Sequence, residues 1–553
     1  VPVDAAPPPG CRAGAPVYLN DVAGVYPVMV SLQDRDTGVT LDRLVSHLVL
    51  APATPSATPL RFALVVPVAA SQPLHTNGAR SAGAGDLARL ASLDPLLSGA
   101  IPITLAPDPA TLAAVADTTS TQARDLLAAL RRDGAAVGVQ SLVQTFAPAA
   151  PYDLVGAGLS GELGAQLQRG QDIIQAQLGT RPSPQTWLTI GPVDRTTADT
   201  LVALGVSRLV VPPDDVQAGF TRLTPSQPYR LNAGGTVLPA LVEDANLGTD
   251  LTLTDPVLSA HELLADLAQT YFEAPNSTRG VVALAPRDWF PTRAAVDVIT
   301  AGLGASPIVA ASTVDGVFAD VPTARSSAPV AFPGRRPALP AARIRADRAE
   351  QAALAGAVTA TLPAVGSMND LILESEADGL GAGQRASYLA GAEQVLANEL
   401  GMVSVVKSSV TLTSRQATVP VSVQSLLPVP IAVRVTVSSD QLQFPGGGTS
   451  VTLPVQTLSH QNTTFNVPVI TRGTGSFPLR VSIVTANGSL VVNNTRLTIR
   501  SRAFSGVGVA LSAGALVFLA VWWGRELRRS RRARRPEPEA AASPATPVPA
   551  PVQ

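Results

Sequence analysis

Cysteine, histidine and lysine are scarce in this sequence of 553 residues. The single cysteine, Cys11, excludes an internal disulfide and any zinc site built from cysteines. The histidines lack the HxH, HxxxH or HExxH spacing of a zinc-dependent deacetylase or peptidase; they are His47, His75, His261 and His460. There is also no GxSxG nucleophile elbow, and no glycine-rich phosphate loop follows the first apolar strand. The sequence therefore predicts neither a metal nor a cofactor.

Charge is also sparse. Only 15% of the residues are charged, the formal net charge is -1, and no basic patch precedes the C-terminus, which argues against a nucleic-acid-binding protein. Hydrophobic residues make up 46% of the chain, enough for substantial cores. At roughly 100–200 residues per domain, the length predicts a multidomain protein.

The strongest physical signal is an apolar run near the C-terminus. Residues 504–523 carry no charge, and at about 1.5 Å per residue they would form a helix of about 30 Å, the thickness of a bilayer core. Seven arginines follow between positions 525 and 535. The positive-inside rule then predicts a single-pass protein of the cell membrane with residues 1–503 outside, a transmembrane helix at 504–524 and a cytoplasmic tail at 525–553 that is basic and then disordered. A buried core helix followed by solvated arginines is the alternative.

The first 57 residues are interpreted as a leader and the remnant of an N-terminal β domain. The opening VPVDAAPPPGCRAG has neither the basic nor the apolar region of a signal peptide, so we expect a removed signal or a true start further upstream. Residues 25–52 alternate like two strands around DRDTG, which predicts a hairpin that packs on another element.

Residues 58–330 alternate short apolar strands with Ala/Leu-rich helical segments. The strands are FALVVPV, IPITLAP, AAVGVQ, TWLTI, SRLVVP and GVVALAP. Uninterrupted apolar strands are typical of a parallel sheet buried on both faces, and about 270 residues of this pattern favour an irregular β/α barrel over an open doubly wound sheet.

In the rest of the predicted extracytoplasmic part the sequence pattern changes twice. Residues 331–401 begin with a proline-rich linker at 331–340 and continue as a helical segment. Residues 402–503 contain several β-branched strands separated by turns, which predicts an immunoglobulin-like β-sandwich.

Polar residues directly after barrel strands are candidate site residues, because a barrel binds its ligands at the C-terminal ends of its strands. They are Asp108, Gln140, Asp194, Asp214, Asp215, Glu243, Asp244, Arg287 and Asp288. Two such carboxylates at a suitable separation can hydrolyse a glycosidic bond, and Asp214 and Glu243 are the candidates. The alternative is that each acid caps the helix that follows it.

The run YFEAPNSTRGVVALAPRDWFP at 271–291 is the most distinctive of the chain. Within it Glu273 and Arg279 are placed to form an ion pair, while Arg287, Asp288 and Trp289 end a strand. An arginine next to a tryptophan binds sugars by hydrogen bonding and stacking. These five residues are the predicted ligand-binding set; the alternative is that Trp289 only closes the barrel.

This run carries a resemblance, together with GVYPVMVSL (24–32), TLAPDP (104–109), the stretch from VTLTS to VPVSV (410–423) and RSRAF before the apolar run. The sequence resembles a family of actinobacterial exported, single-pass membrane proteins of unknown function, whose gene commonly lies beside that of the MurJ/MviN-type lipid II flippase. The resemblance implies a longer N-terminal β domain than is present here. It also implies a central domain similar in style to polysaccharide deacetylase barrels, although their two histidines and paired aspartates have no counterpart. A Pro-Tyr-Ala-Asp run of many members is matched only by Pro151, Tyr152 and Asp153.

Together these observations predict a membrane-anchored extracytoplasmic protein that supports peptidoglycan assembly by binding or scaffolding, without catalysis. The partners implied are the lipid II flippase or other cell-wall machinery, a cell-wall glycan and the membrane, but no nucleic acid. The alternative is a metal-independent, glycoside hydrolase-like enzyme that uses carboxylates at the barrel mouth.

Overall fold

The computed structural model describes residues 22–98, 101–217, 223–325, 327–331, 339–502 and 506–531. Cys11 with the leader, most of the proline-rich linker and the tail from residue 532 lie outside the described residues. The chain divides into two compact units, one comprising residues 1–355 and 361–399 and the other residues 356–360 and 400–553. It is a multidomain α/β protein with a β-rich C-terminal part.

The first unit begins with the predicted hairpin of β1 (Gly24–Gln33) and β2 (Thr40–Leu50), paired antiparallel. Its tight turn is held by the Asp34 carboxylate, which accepts a hydrogen bond of 2.7 Å from the Thr37 amide. At the base of the hairpin His47 Nδ1 lies 2.7 Å from a carboxylate oxygen of Glu262. Apolar side chains of the hairpin such as Met29 and Leu32 are exposed.

Ten strands form the sheets of the barrel domain. They are β3 (Leu60–Val68), β4 (Ile103–Pro107), β5 (Val139–Ser141), β6 (Thr186–Leu188), β7 (Arg208–Val211), β8 (Tyr229–Ala233), β9 (Thr236–Val242), β10 (Gly280–Leu284), β11 (Val309–Ser312) and β12 (Ser327–Pro329).

Seven of these strands run parallel in the order β5-β4-β3-β10-β9-β7-β6. A single bridge between Glu243 and Val282 joins the half that contains β9 to the half that contains β10. Among the described residues β5 and β6 are not paired, so the barrel is incomplete at this point. Strand β8 adds an antiparallel ribbon to β9, and β11 lies beside the first half of β3. The strand order therefore agrees with the predicted irregular barrel. The similarity to deacetylase barrels stays a prediction.

Eleven helices connect these strands. They are α1 (Ala84–Ala91), α2 (Asp94–Leu97), α3 (Pro109–Asp117), α4 (Thr121–Asp133), α5 (Pro151–Gly156), α6 (Ser160–Leu178), α7 (Arg195–Ala203), α8 (Ala245–Asp250), α9 (Pro256–Glu273), α10 (Arg293–Gly304) and α11 (Val314–Asp320).

The strands are buried on both faces, which explains why their sequences lack alternation. Val65, Val210, Leu241 and Val282 from four different strands are buried in one inner cluster. Neighbouring residues such as Phe62 and Leu64 belong to a second, larger cluster formed with the helices. Most of the apolar residues of a strand therefore have a buried position to fill, whichever face they are on.

Three further helices follow: α12 (Ala341–Ala357), α13 (Pro363–Glu374) and α14 (Ala382–Gly401). Helix α13 is attached to the barrel by the fully buried Asp370, whose carboxylate accepts hydrogen bonds of 2.7 and 2.8 Å from Arg169 and also pairs with Arg80. Tyr388 of α14 donates a hydrogen bond of 3.0 Å to the carbonyl of Leu74. Residues 361–399 are thus part of the barrel unit.

The second unit is a β-sandwich of ten strands: β13 (Val403–Val405), β14 (Val410–Leu412), β15 (Gln416–Ser425), β16 (Ile431–Ser438), β17 (Leu442–Gln443), β18 (Ser450–Thr452), β19 (Gln456–Leu458), β20 (Asn462–Thr471), β21 (Gly475–Thr485) and β22 (Val491–Ser501). One sheet has the order β13-β15-β20-β17, and the other contains β14-β22-β21-β16-β18 with β19. Alternate residues of both sheets, for example Val421 and Val435, share one core. The immunoglobulin-like character of this sandwich remains a prediction.

Helix α15 (Gly506–Arg531) ends the described chain. Within the described residues it is the one helix long and apolar enough to cross a membrane, over Ala510–Arg529, with a mean hydropathy of 1.2 and none of that window buried. Length and composition alone support this assignment, which overlaps the predicted span of 504–524 over residues 510–524.

Candidate functional site

The candidate site is a cavity of about 350 Å³ at the C-terminal ends of β3, β4 and β10, bordered by the end of α13. Its polar lining is formed by Ser71, Asp108, Arg287, Glu374 and Asp378. Pro73, Pro148, Ile190 and Leu380 supply much of the apolar lining. This cavity is called the mouth cavity below.

Arg287 is the central cation of the mouth cavity. Its side chain is 55% exposed, and Nη2 donates a hydrogen bond of 2.8 Å to Oδ2 of the buried Asp108. The backbone carbonyl of Arg287 accepts a hydrogen bond of 2.8 Å from Arg89, which in turn pairs with Asp86. The guanidinium is therefore fixed at one end, and its other donors have no partner among the described residues, which leaves them for water or a ligand.

Asp108 has two structural tasks. It caps α3 by accepting a hydrogen bond of 3.1 Å from the amide of Ala110, and it holds Arg287. Burial raises the pKa of Asp108, against the opposing effect of the Arg287 guanidinium. The capping role agrees with the alternative stated for the acids that follow barrel strands.

Glu374, the last residue of α13, is the acid that differs from the rest. Burial and then the negative charge of Asp108 raise its pKa to about 8, while Arg287 acts in the opposite direction. Its Oε2 atom is buried and has no hydrogen-bond partner among the described residues. A protonated Glu374 therefore presents a hydrogen-bond donor close to a half-exposed guanidinium.

The candidate catalytic acids Asp214 and Glu243 lie elsewhere at the barrel mouth and do not line the mouth cavity. Asp214 is exposed in a short helical turn, Pro213–Asp215, that follows β7. Glu243 follows β9, where its amide donates a hydrogen bond of 3.0 Å to the carbonyl of Val211. Burial, and then the charges of Asp215 and Asp214, raise the pKa of Glu243. Glu243 therefore holds a proton more readily than an isolated carboxylate does.

Other predicted polar residues have structural partners. Asp194 and Asp244 cap α7 and α8, accepting hydrogen bonds of 2.8 Å from Thr197 and 3.1 Å from Asn246. The side-chain oxygen of Gln140 accepts one of 3.0 Å from the amide of Asp315. Among the described residues no group of three or more His, Cys, Asp or Glu is placed to hold a metal ion.

Glu273 and Arg279 form the predicted ion pair, at 2.9 Å. Burial would raise the pKa of Glu273, but hydrogen bonds from Arg279 and Thr224 outweigh it and lower this pKa. Arg279 is only 5% exposed and also donates to Ser226 and to the carbonyls of Thr270 and Thr224. It directly precedes β10, whereas Arg287 comes after that strand. The structure therefore places Glu273 and Arg279 at the opposite end of β10 from Arg287 and does not bring the five predicted ligand residues together.

Trp289 is 9% exposed and belongs to the main core, while its neighbour Phe290 is 60% exposed. With Asp288 these two residues line a second cavity of about 290 Å³, between the start of α9 and α10. It is called the outer cavity below. Only a small part of Trp289 is accessible there, so its stacking role stays a prediction, and Phe290 is the more accessible ring.

The sequence did not predict Glu374 as a site residue. It lies in a segment recognised only as helical, and its place at the mouth depends on contacts between α13 and α6 that are distant in sequence. Gln166 of α6, for example, donates a hydrogen bond of 2.8 Å to the carbonyl of Leu373.

The sequence matches one protein family over nearly its whole length. The profile of a family of unknown function, DUF6049, matches residues 19–545. The chain belongs to the DUF6049 family. The match covers both units and the apolar helix, and it assigns this DUF6049 member no activity.

Solved structures similar to this DUF6049 member include three enzymes that act on carbohydrates by their names. An α-amylase, AmyC, from Thermotoga maritima has 9% sequence identity and a TM-score of 0.43, over 61% of this chain and 92% of that one. A 4-α-glucanotransferase from Thermococcus litoralis has 11% identity and a TM-score of 0.43, over 78% and 68%. An α-mannosidase from Enterococcus faecalis V583 has 10% identity and a TM-score of 0.36, over 79% and 61%. Such distant likenesses assign neither an activity nor a site. No curated protein matches the sequence.

Proposed function

We propose that this DUF6049 member is a membrane-anchored extracytoplasmic protein that binds cell-wall glycan in the mouth cavity and supports peptidoglycan assembly without catalysis. The observation that carries the proposal is the placement of Arg287, half-exposed in a cavity and fixed from behind by the buried Asp108. An arginine held in this way has its geometry set before a ligand arrives, which lowers the entropic cost of binding.

The lining of the mouth cavity suits a sugar. Hydroxyl and carboxylate oxygens of a glycan accept hydrogen bonds from the guanidinium, and a protonated Glu374 adds a further donor. Pro73, Pro148 and Ile190 provide apolar walls for the C–H faces of a ring. A cavity of about 350 Å³ lies at the lower end of the range for small-molecule sites, which indicates that it holds one part of a larger glycan.

The cellular setting is part of the same proposal. Helix α15 would cross the membrane, and the arginines at and beyond its end would remain in the cytoplasm, leaving both folded units outside. The proposed partners are the lipid II flippase or other cell-wall machinery. Affinity capture of the tagged full chain from crosslinked membranes, beside a control protein of the same topology, tests this: selective enrichment of the flippase or wall synthases supports the partnership, and equal recovery with the control contradicts it.

The binding proposal is tested with soluble peptidoglycan fragments and the full chain in detergent. We expect Arg287→Ala to weaken binding at least tenfold, because the main donor group of the cavity is lost, and Arg287→Lys to restore little of it, because an ammonium cannot reproduce the fork geometry. Arg293→Ala is the matched control, since Arg293 is exposed on α10 and, within the described residues, its ion pair is with Asp297. Unchanged affinity in Arg287→Ala would remove the site.

A second candidate function is glycoside hydrolysis at the barrel mouth, and one observation favours it. Glu374 with a pKa of about 8 remains protonated at neutral pH, as a general acid must. Asp108 in the same cavity would then be the second carboxylate. Glu243 and Asp214, which do not line this cavity, would form a separate candidate pair. Release of reducing ends from wall glycan that is lost in Glu374→Gln or Glu243→Gln, with binding retained, would establish the enzyme in place of the binding protein.

A further inference from the structure

The loop at residues 285–291 separates two cavities. Arg287 lines the mouth cavity, and the next residue, Asp288, lines the outer cavity together with Trp289 and Phe290. Consecutive Cα atoms are about 3.8 Å apart, so the two cavities lie on either side of a single loop. We infer that the outer cavity is a second sugar subsite, and that the ligand is an extended glycan chain that lies across this loop with sugar units in both cavities. The inference rests on the proposed function, because the mouth cavity supplies the first subsite.

The outer cavity contains the groups that bind a sugar unit. Phe290 offers an exposed aromatic ring, which packs against the C–H face of a pyranose. Asp288 is exposed and has no hydrogen-bond or ion-pair partner in the described part of the chain, so its carboxylate is free to accept hydrogen bonds from sugar hydroxyls. The exposed Thr252 and Thr254 add hydroxyl groups to the lining.

The loop between the cavities is held rigidly. Trp289 anchors it in the core, and the Trp289 amide donates a hydrogen bond of 3.0 Å to the carbonyl of Pro286. On the other side Arg89 holds the carbonyl of Arg287 at 2.8 Å. Both subsites are therefore fixed relative to each other before binding, and a ligand that reaches both gains the second contact at a small additional entropic cost.

The length of the glycan is the variable that tests the inference. The probes are β-1,4-linked N-acetylglucosamine oligomers of two to six units, measured by calorimetry on the full chain in detergent. For the unmodified protein we expect the affinity to rise at least tenfold between the shortest and the longer oligomers. Phe290→Ala should abolish this rise and leave the affinity for the dimer unchanged, whereas Arg287→Ala should weaken binding of every oligomer. Asp288→Asn should reduce the rise in part.

The outcomes separate the inference from the proposed function. Val202→Ala, an exposed apolar residue on α7 that lines neither cavity, is the control and should behave like the unmodified protein. Binding that depends on Arg287 but not on chain length or Phe290 would overturn the inference and leave the proposed function standing. No binding of any oligomer or of peptidoglycan fragments would overturn both.

Discussion

At the scale of single residues, two of the acids that line the mouth cavity are in different situations. Asp108 is compensated by the Arg287 guanidinium and by the first amides of α3, so its charge has partners. Glu374 has a buried oxygen without a hydrogen-bond partner in the described part of the structure, and a protonated carboxyl avoids burying an unpaired charge. Position in the fold, rather than residue type, makes Glu374 the acid that retains its proton.

Glu374 makes stability depend on pH. Its pKa is 4.5 in the unfolded reference and about 8 in the folded protein, so the folded state binds the extra proton and stability falls as the pH rises through this window. We expect Glu374→Gln to match the unmodified protein near pH 5 and to melt at a higher temperature near pH 9. Thermal unfolding across this range, with Asp297→Asn on the exposed surface of α10 as control, measures the effect; parallel curves for all three proteins would contradict it.

Trp289 and Phe290 are adjacent but have different roles. Trp289→Ala leaves a large cavity in the core and should destabilise the barrel unit by about 3–5 kcal/mol. Phe290→Ala removes an exposed ring and should change the free energy of unfolding by less than about 0.5 kcal/mol. Denaturant unfolding of both variants compares these values, and a similar loss in both would show that Phe290 is also part of the core.

At the scale of elements, the helical segment is what completes the mouth cavity. Asp370 of α13 is paired with Arg169 and Arg80, and removing one partner of such a buried group costs about 3–5 kcal/mol. These bonds fix the end of α13, and therefore Glu374, against the barrel. The sequence identified the helices but contained no signal for the surface on which they pack.

Helix α14 approaches the loop at residues 71–79 closely through Gly391. A Cβ atom at Gly391 would lie 1.9 Å from the carbonyl oxygen of Thr76, a backbone atom. We expect Gly391→Ala to destabilise the barrel unit by about 1–3 kcal/mol and to weaken glycan binding, because α14 must move away. Gly383→Ala is the matched control in the same helix, since no atom of the described residues lies within 4 Å of its added Cβ, and it should be neutral or stabilising by up to about 1 kcal/mol.

Melting temperatures and peptidoglycan-fragment affinities of the two glycine variants measure how much the close approach of α14 contributes. Equal stability of Gly391→Ala and Gly383→Ala would mean that α14 does not depend on this close approach.

Some helices and strands were predicted from the sequence and others were not. The strands β3, β4, β7 and β10 were predicted because uninterrupted Val/Leu runs have few other structures available in a soluble domain. The ribbon strand β8 and the long helix α9 (Pro256–Glu273) were not predicted. Tyr229–Ala233 is short and polar at two positions, and its strand pairs with β9 on one side and with β12 on the other.

At the scale of the whole molecule, the proposed membrane attachment rests on α15, the one helix of the described residues that is long and apolar enough to cross a membrane. An arginine near the centre of a membrane helix costs about 2.5–3.5 kcal/mol, so Leu516→Arg combined with Leu519→Arg should release the protein from membranes during alkaline extraction. Arg525→Lys keeps the charge at the end of the helix and should leave the protein attached. Retention of the double variant in the membrane fraction would show that another segment anchors the protein.

The sequence by itself determined the properties that depend on local composition and periodicity: the apolar helix near the C-terminus, the buried parallel strands, the β-rich C-terminal unit and the capping positions of Asp108 and Asp194. Each follows from the free energy of placing a short segment in water, lipid or a core. The tertiary structure alone decided which side chains meet. It separated Glu273 and Arg279 from Arg287 by the length of β10, buried Trp289, and brought Glu374 to Asp108 across more than half of the barrel unit's sequence. Such contacts depend on sheet order and helix packing, which are set by the sum of many interactions between residues distant in sequence. No characteristic spacing in the sequence therefore predicts them.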